Sequence, residues 1–158
     1  MVSVTIAQDA DNYLKLTVLR KLAPYAWDTW DGNRLRIRVD FAIAARTESF
    51  DTILFSTDLE AFRDELLGDV VDDSGLIALM TMDGVVDIIM ERKAGIFVAE
   101  CSLRKVPDGL LDAHVELRVP VQHVPRMIRD LDTILATYPV IQPAACAEPE
   151  DFTPPSPN

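Results

Sequence analysis

The sequence predicts an α+β fold: a mainly antiparallel, strongly twisted sheet of about seven or eight strands with two helices, in the order ββββ-α-ββββ-α. Three observations predict it. Residues 34–46 read Arg-Leu-Arg-Ile-Arg-Val-Asp-Phe-Ala-Ile-Ala-Ala-Arg, with Leu35, Ile37, Val39, Phe41 and Ile43 at odd positions and Arg34, Arg36, Arg38, Asp40 and Arg46 at even ones. A period of two over this length means a long strand with one dry face and one wet face, as in antiparallel sheet. Two other stretches, near residues 57–68 and 124–138, place apolar residues at helical spacing instead. Turn signals at Asp83-Gly84, Lys93-Ala94-Gly95 and Pro107-Asp108-Gly109 punctuate the apolar runs between them.

Taken in order, Val2, Val4 and Ile6 alternate with Ser3 and Thr5 as a short first strand. Tyr13 to Leu19 is a second, with Leu14, Leu16 and Val18 on one face. Arg20 to Asn33 contains Pro24, Gly32 and two tryptophans and reads as a long connection. The long strand 34–46 follows, and then Phe50 to Phe55 as its neighbour, with Ile53 and Phe55 alternating. Thr57-Asp58-Leu59-Glu60 has the form of a capping box, in which Thr57 accepts from the N–H of Glu60 and the Glu60 side chain reaches back. Leu59, Phe62, Leu66 and Leu67 continue the first helix, and Gly68 suits a left-handed stop before an acidic loop, Asp69 to Gly75. Leu76 to Met80 is continuously apolar, as in a strand covered on both faces. Val85 to Arg92, Ile96 to Arg104 and Ala113 to Val119 complete a meander, with Phe97, Ala99, Cys101, Leu103, Val115 and Leu117 inward. Pro125 fits the first turn of a second helix, whose stripe runs through Val124, Met127, Ile128, Leu131, Ile134, Leu135 and Tyr138 to Pro139.

The chain has 158 residues, enough for one domain with its own core, which is expected over residues 1–141. Residues 142–158 hold five of the ten prolines, several acids and no basic residue. Such a tail buries too little to offset its entropy, so disorder is expected there. No internal repeat is legible. The formal charge is −11, from 26 Asp and Glu against 15 Lys and Arg. Phosphate backbones repel such a chain, which disfavours nucleic acid as a partner. No leader and no apolar run of spanning length is seen, so no membrane role is expected and the cytoplasm is the expected compartment.

Chemistry is sparsely signalled. His114 and His123 are the two histidines, without HExxH or cysteine-pair spacing, so no metal is expected. Cys101 lies on an apolar strand face, where nothing in the sequence signals a lowered thiol pKa, and a Cys101–His114 pair is the nucleophilic alternative; Cys146 lies in the tail, and no Gly-x-Ser-x-Gly is present. Neither GxGxxG nor a P-loop is present, so no nucleotide cofactor is expected. Carboxylate pairs at Asp28/Asp31, Asp72/Asp73 and Asp83/Asp87 read as solvated surface. Arg34, Arg36 and Arg38, with Arg46 beyond them, form a basic stripe suited either to a carboxylate on a neighbouring strand or to covering the edge of the sheet. Over residues 57–75, seven acids stand against Arg63 alone. The helix dipole accounts for Asp58 and Glu60 near its start but not for acids at its far end. Asp64, Glu65, Asp69, Asp72 and Asp73 are therefore the candidate partner-binding surface, and Trp27 and Trp30 are either candidate aromatic anchors or residues that close one end of the core.

The order of these motifs carries a resemblance. Trp30-Asp31-Gly32-Asn33 leads into the long strand, and the Thr57-Asp58-Leu59-Glu60-Ala61-Phe62 helix follows. Then come Gly95-Ile96-Phe97-Val98 in the meander and Leu131, Leu135 and Tyr138-Pro139 at the end. Over about residues 12–140 this resembles the small bacterial immunity proteins associated with wall-associated-protein toxins. The resemblance implies no enzyme and no cofactor, but a protein that neutralises a cognate toxin by binding it. A negative surface suits a basic toxin domain. Two other classes compete. An acidic secretion chaperone or adaptor would show an apolar groove and form a homodimer, where an immunity protein can be monomer or homodimer. An enzyme would join a carboxylate to His114 or His123 in a pocket.

Overall fold

The computed structural model describes residues 1–9, 11–44, 46–73, 75–104 and 112–143. Its strands are β1 (Val2–Gln8), β2 (Tyr13–Lys21), β3 (Arg34–Ile43), β4 (Arg46–Phe55), β5 (Leu76–Leu79), β6 (Val86–Lys93), β7 (Ile96–Arg104) and β8 (Asp112–Pro120). Helix α1 (Ser56–Asp72) separates β4 from β5, and α2 (Val124–Thr137) closes the described chain. The α+β class and the element order are those the sequence predicts. The strands divide into two antiparallel sheets of four, β1-β2-β3-β4 and β5-β6-β7-β8. Each half is thus a four-stranded meander followed by a helix. Helix α1 packs on β5, the first strand of the other half, and α2 packs on β1, so the helices cross between the halves and meet each other. The inner faces of both sheets and the helical residues Leu59, Phe62, Leu66, Met127, Leu131 and Ile134 share one buried cluster.

Strand periodicity sets the register. Leu35, Ile37, Val39 and Phe41 all point inward on β3. A bulge between Thr5 and Ala7 lets the consecutive residues Ile6 and Ala7 both be buried. Strand β3 ends at Ile43, and Arg46 belongs to β4, because the chain turns at Ala44 with φ 48°. The phase of β4 also differs from expectation. Leu35 pairs with Leu54 and Val39 with Phe50, so Phe50 and Leu54 are inward while Ile53 faces out. The Asp83-Gly84 turn is wider than a two-residue hairpin, because Thr81 Oγ1 accepts from the N–H groups of Val85 and Val86 and holds a longer loop. Ala94-Gly95 is a two-residue turn with both φ positive, at 50° and 81°, which suits the twist of the flanking strands.

Helix α1 starts and stops elsewhere than its motif suggests. Its cap residue is Phe55, whose N–H donates to the Asp58 carboxylate at 3.2 Å, so Asp58 takes the role expected of Glu60. Burial raises the pKa of Asp58 above the ordinary value despite that N–H. Ionising it therefore costs the folded state more than the unfolded one, and its contribution to stability falls as pH rises through the raised value. The helix runs past Gly68 to Asp72, and Asp73 makes the left-handed stop at φ 51°. Strand β5 is covered on one face only, since Leu76 and Met80 are exposed. Pro107-Asp108-Gly109, Cys146 and residues 144–158 lie outside the described residues.

Candidate functional site

The five acids at the end of α1 have different roles. Asp64, Asp72 and Asp73 face solvent. Glu65 and Asp69 lie one turn apart, on the side of α1 that meets β5. Glu65 Oε2 accepts the Ala78 N–H at 2.5 Å, and Asp69 Oδ1 accepts the Gly75 N–H at 2.7 Å. An edge strand exposes unpaired backbone donors, and here helix carboxylates cover them. Asp69 is 2% exposed and is turned into the protein. Its second oxygen receives Arg92 Nη2 at 2.5 Å, and Arg92 Nε lies 3.1 Å from Asp73. Asp64 sits 2.8 Å from Arg63, which also reaches Asp132 on α2 at 3.1 Å.

Arg92 is a residue that sequence reasoning missed. It shares the inward parity of Val86, Ile88 and Met90 on β6. Its guanidinium lies over the Phe97 ring at 4.9 Å, closing the end of the core while its head neutralises the helix acids. The available signal was an arginine at an inward position of an alternating strand.

Trp27 is 87% exposed and Trp30 55%, so neither closes the core. Trp30 leans on Phe55 with ring centroids 5.1 Å apart, and Trp27 projects from the same connection with Tyr25. The adjoining Asp31-Gly32-Asn33 turn explains part of the resemblance motif. Asn33 is 1% exposed. Its amide donates to Thr29 O at 2.8 Å and Ile141 O at 3.0 Å, while its oxygen accepts from Ile141 N at 2.7 Å and Ser56 Oγ at 3.0 Å. One side chain thus ties the β2–β3 connection, the start of α1 and the segment after α2. Ile141 lies so close to Gly32 that a Cβ there would meet its side chain at 2.3 Å.

The basic stripe is matched within its own sheet. Asp51 on β4 receives Arg38 Nε at 2.9 Å and lies 3.3 Å from Arg36 Nη2. The hydrogen bond from Arg38 is the main cause that lowers the pKa of Asp51. A lowered carboxylate adds stability that is fully present above its unfolded pKa of about 3.9 and lost as pH falls through the folded value. Asp51→Asn is therefore expected to flatten the loss of melting temperature below about pH 4, followed by circular dichroism.

Nucleophilic and metal chemistry have little to work with. Cys101 is 2% exposed, and burial pushes its thiol pKa up to about 12. In a Cys146→Ser background, Cys101 is expected to resist iodoacetamide at pH 8 until the protein unfolds, as read by mass spectrometry. Ser102 Oγ lies 3.1 Å from His114 Nδ1, and His114 Nε2 lies 3.7 Å from Asp112. This is a serine–histidine–aspartate chain; Ser102 and His114 share a shallow, solvent-open depression of about 280 Å³ with Glu100 and Glu116, and His114 and Asp112 are exposed. Ser102 sits inside the β7 ladder, where its neighbours' backbone donors serve the sheet rather than an oxyanion. His123 instead bonds the Thr5 carbonyl through Nε2 at 2.9 Å, joining the approach to α2 to β1. Among the described residues, no group of three or more His, Cys, Asp or Glu is arranged to hold a metal ion. No described helix is long and apolar enough to cross a membrane.

What the fold offers is a set of open faces around one core. Residues 5–139 match the Immunity protein WapI-like family, and the chain belongs to that family. The match takes in every described element from within β1 to the end of α2, slightly more than the quoted motifs span. No curated protein and no solved structure matches the chain.

Proposed function

We propose that this protein neutralises a cognate bacterial toxin by binding and occluding it, without transforming a substrate. The family match over residues 5–139 carries this reading. The buried, high-pKa thiol of Cys101 supports a binding role over a catalytic one. The net charge of −11 supports a basic toxin domain as the partner, because complementary charge speeds encounter and suppresses wrong partners.

On this reading, Asp64, Asp72 and Asp73 present the acidic end of α1 to the toxin. Glu65 and Asp69 hold that end against β5. Trp27 and Trp30 supply aromatic anchors on the β2–β3 connection. The test is survival of cells carrying the toxin gene that neighbours this one. Wild-type protein is expected to protect them. A triple variant, Asp64→Lys, Asp72→Lys and Asp73→Lys, is expected to weaken binding about 10-fold or more and to flatten its salt dependence. Full affinity and salt dependence in that variant would remove the α1 end from the interface. Failure of the wild type to protect would remove the function itself.

One observation favours a second reading, a chaperone or adaptor for segments of an exported protein. A groove of about 470 Å³ lies beside α1 and the start of α2, lined in part by Val70, Val121, Val124 and Pro125. A monomer in sedimentation would remove the chaperone reading, which predicts a homodimer.

A further inference from the structure

Among the described residues, the outer face of the second sheet leaves several large apolar side chains open to solvent. It carries Leu76 on β5 and Met80 just past the end of that strand, 60% and 58% exposed, and Ile89 on β6, 43% exposed. Ile89 lies opposite Ala78, between the other two, so the three form one apolar strip along the sheet's β5 edge. Exposed apolar side chains are usually scattered singly, and a shared strip marks an interaction surface.

Two further features of this face indicate what covers it. Glu100 on β7 stands directly opposite Glu116 on β8, and both are exposed. Like charges in register across a ladder destabilise the sheet that carries them. The cations on the same face are Lys93, held by Glu91 at 2.8 Å and within the field of Glu100 and Glu116, Arg104, which stands opposite Asp112, and Arg118, which stands opposite Val98. At the other margin, Leu76 follows the turn that leaves α1, where Asp72 and Asp73 are exposed. The apolar strip therefore lies between acids on both sides.

We propose that this face is the centre of the toxin interface, and that the toxin surface it takes is basic around an apolar middle. The proposal rests on the immunity reading above and extends the interface from the end of α1 across the sheet. Charge selects the occupant. A second copy would press Glu100 and Glu116 against the same acids on a chain of net charge −11. A lysine- or arginine-rich protein surface instead relieves the repulsion between them. Lys93 offsets part of that repulsion in the free protein, and a basic partner would offset more of it.

The probe is the toxin domain encoded beside this gene, in an inactivated form, titrated calorimetrically at low and high salt. Ile89→Lys is expected to weaken binding about 10-fold or more. Glu100→Lys and Glu116→Lys, made singly, are expected to slow association and flatten the salt dependence. The same two variants should melt about 1–2 °C higher than wild type, because the like-charge pair is gone. Higher stability with weaker binding is a combination that damage to the fold does not produce. Thr17→Glu, on the outer face of the first sheet, serves as the control and should bind normally. If wild type binds and the Ile89, Glu100 and Glu116 variants bind equally well, this face is overturned while the immunity reading stands. If wild type does not bind, the immunity reading falls and takes the face with it. If sedimentation shows a dimer that Ile89→Lys dissociates, a second copy is the occupant and the proposal is overturned.

Discussion

Asn33→Ala is expected to cost about 3–4 kcal/mol of folding stability, one of the two largest single effects among the polar residues. The residue is almost fully buried and uses both ends of its amide. Truncation would strand the Ile141 N–H, the Ser56 hydroxyl and the carbonyls of Thr29 and Ile141, all of which Asn33 now satisfies. A buried polar group left unpaired costs about 1–3 kcal/mol, and some of these four would recover water or relax, so the sum is not taken in full. The loss should appear as a fall of about 1–2 M in the urea midpoint with little change in slope. Asn33→Asp is a sharper control. It keeps the acceptor side for Ile141 N and Ser56 but replaces the amide donor with a second acceptor facing two carbonyls. It should therefore not rescue. Rescue by Asp would mean that the donor bonds to Thr29 and Ile141 contribute nothing.

Asp69→Ala is expected to cost about 3 kcal/mol. The carboxylate's side chain is 1% exposed, and it holds the Gly75 N–H and the Arg92 guanidinium at once. Removing it leaves the Gly75 N–H without its acceptor and the arginine cation with the exposed Asp73 carboxylate alone. Arg92 is 27% exposed, so water recovers part of the loss, which places the estimate at the lower end of the range for a broken buried pair. Asp69→Asn keeps the shape and an acceptor for Gly75 and should cost less than Ala. Equal stability of Asp69→Ala and wild type in urea would show that Arg92 is held by Asp73 and Phe97 alone. The contrast with Asp72→Ala is informative: that carboxylate faces solvent, and its loss should change stability by less than about 0.5 kcal/mol.

These two residues also mark where the sequence could be read and where it could not. The class and element order were legible because strand and helix periods differ. Leu35 through Phe41 cannot be mistaken for a helix stripe, nor can Val124 through Leu135 be mistaken for a strand. Division into two sheets was not legible, because it depends on α1 crossing to β5 and α2 to β1, and periodicity says nothing about which edge a helix chooses. The phase of β4 was misread because Phe50, Ile53, Leu54 and Phe55 are all apolar. Only the pairing of Leu35 with Leu54 shows which of them point inward.

The acidic site was half legible. Charge counting found the cluster but could not tell a carboxylate serving a backbone edge from one serving solvent. Glu65 and Asp69 look like Asp64 and Asp72 until Ala78 and Gly75 are brought beside them. The basic stripe was read more closely, since its pairing with Asp51 follows from cross-strand geometry. Asn33 appeared in the sequence only as part of a recurring motif. Its physical role needed Ile141, which lies 108 residues away. The outer face of the second sheet was hidden for a related reason. The run Leu76 to Met80 looks like a buried strand, and its position at a sheet edge exposes half of it.

The central claim is that this chain acts by stoichiometric occlusion rather than by chemistry. Titrating the active toxin domain with the immunity protein and following residual toxin activity tests it most directly. The account predicts a linear loss that ends at one protein per toxin. Toxin released from the complex in denaturant and refolded should have unchanged mass and full activity. Inactivation by a small fraction of an equivalent, or a toxin recovered with altered mass, would contradict it.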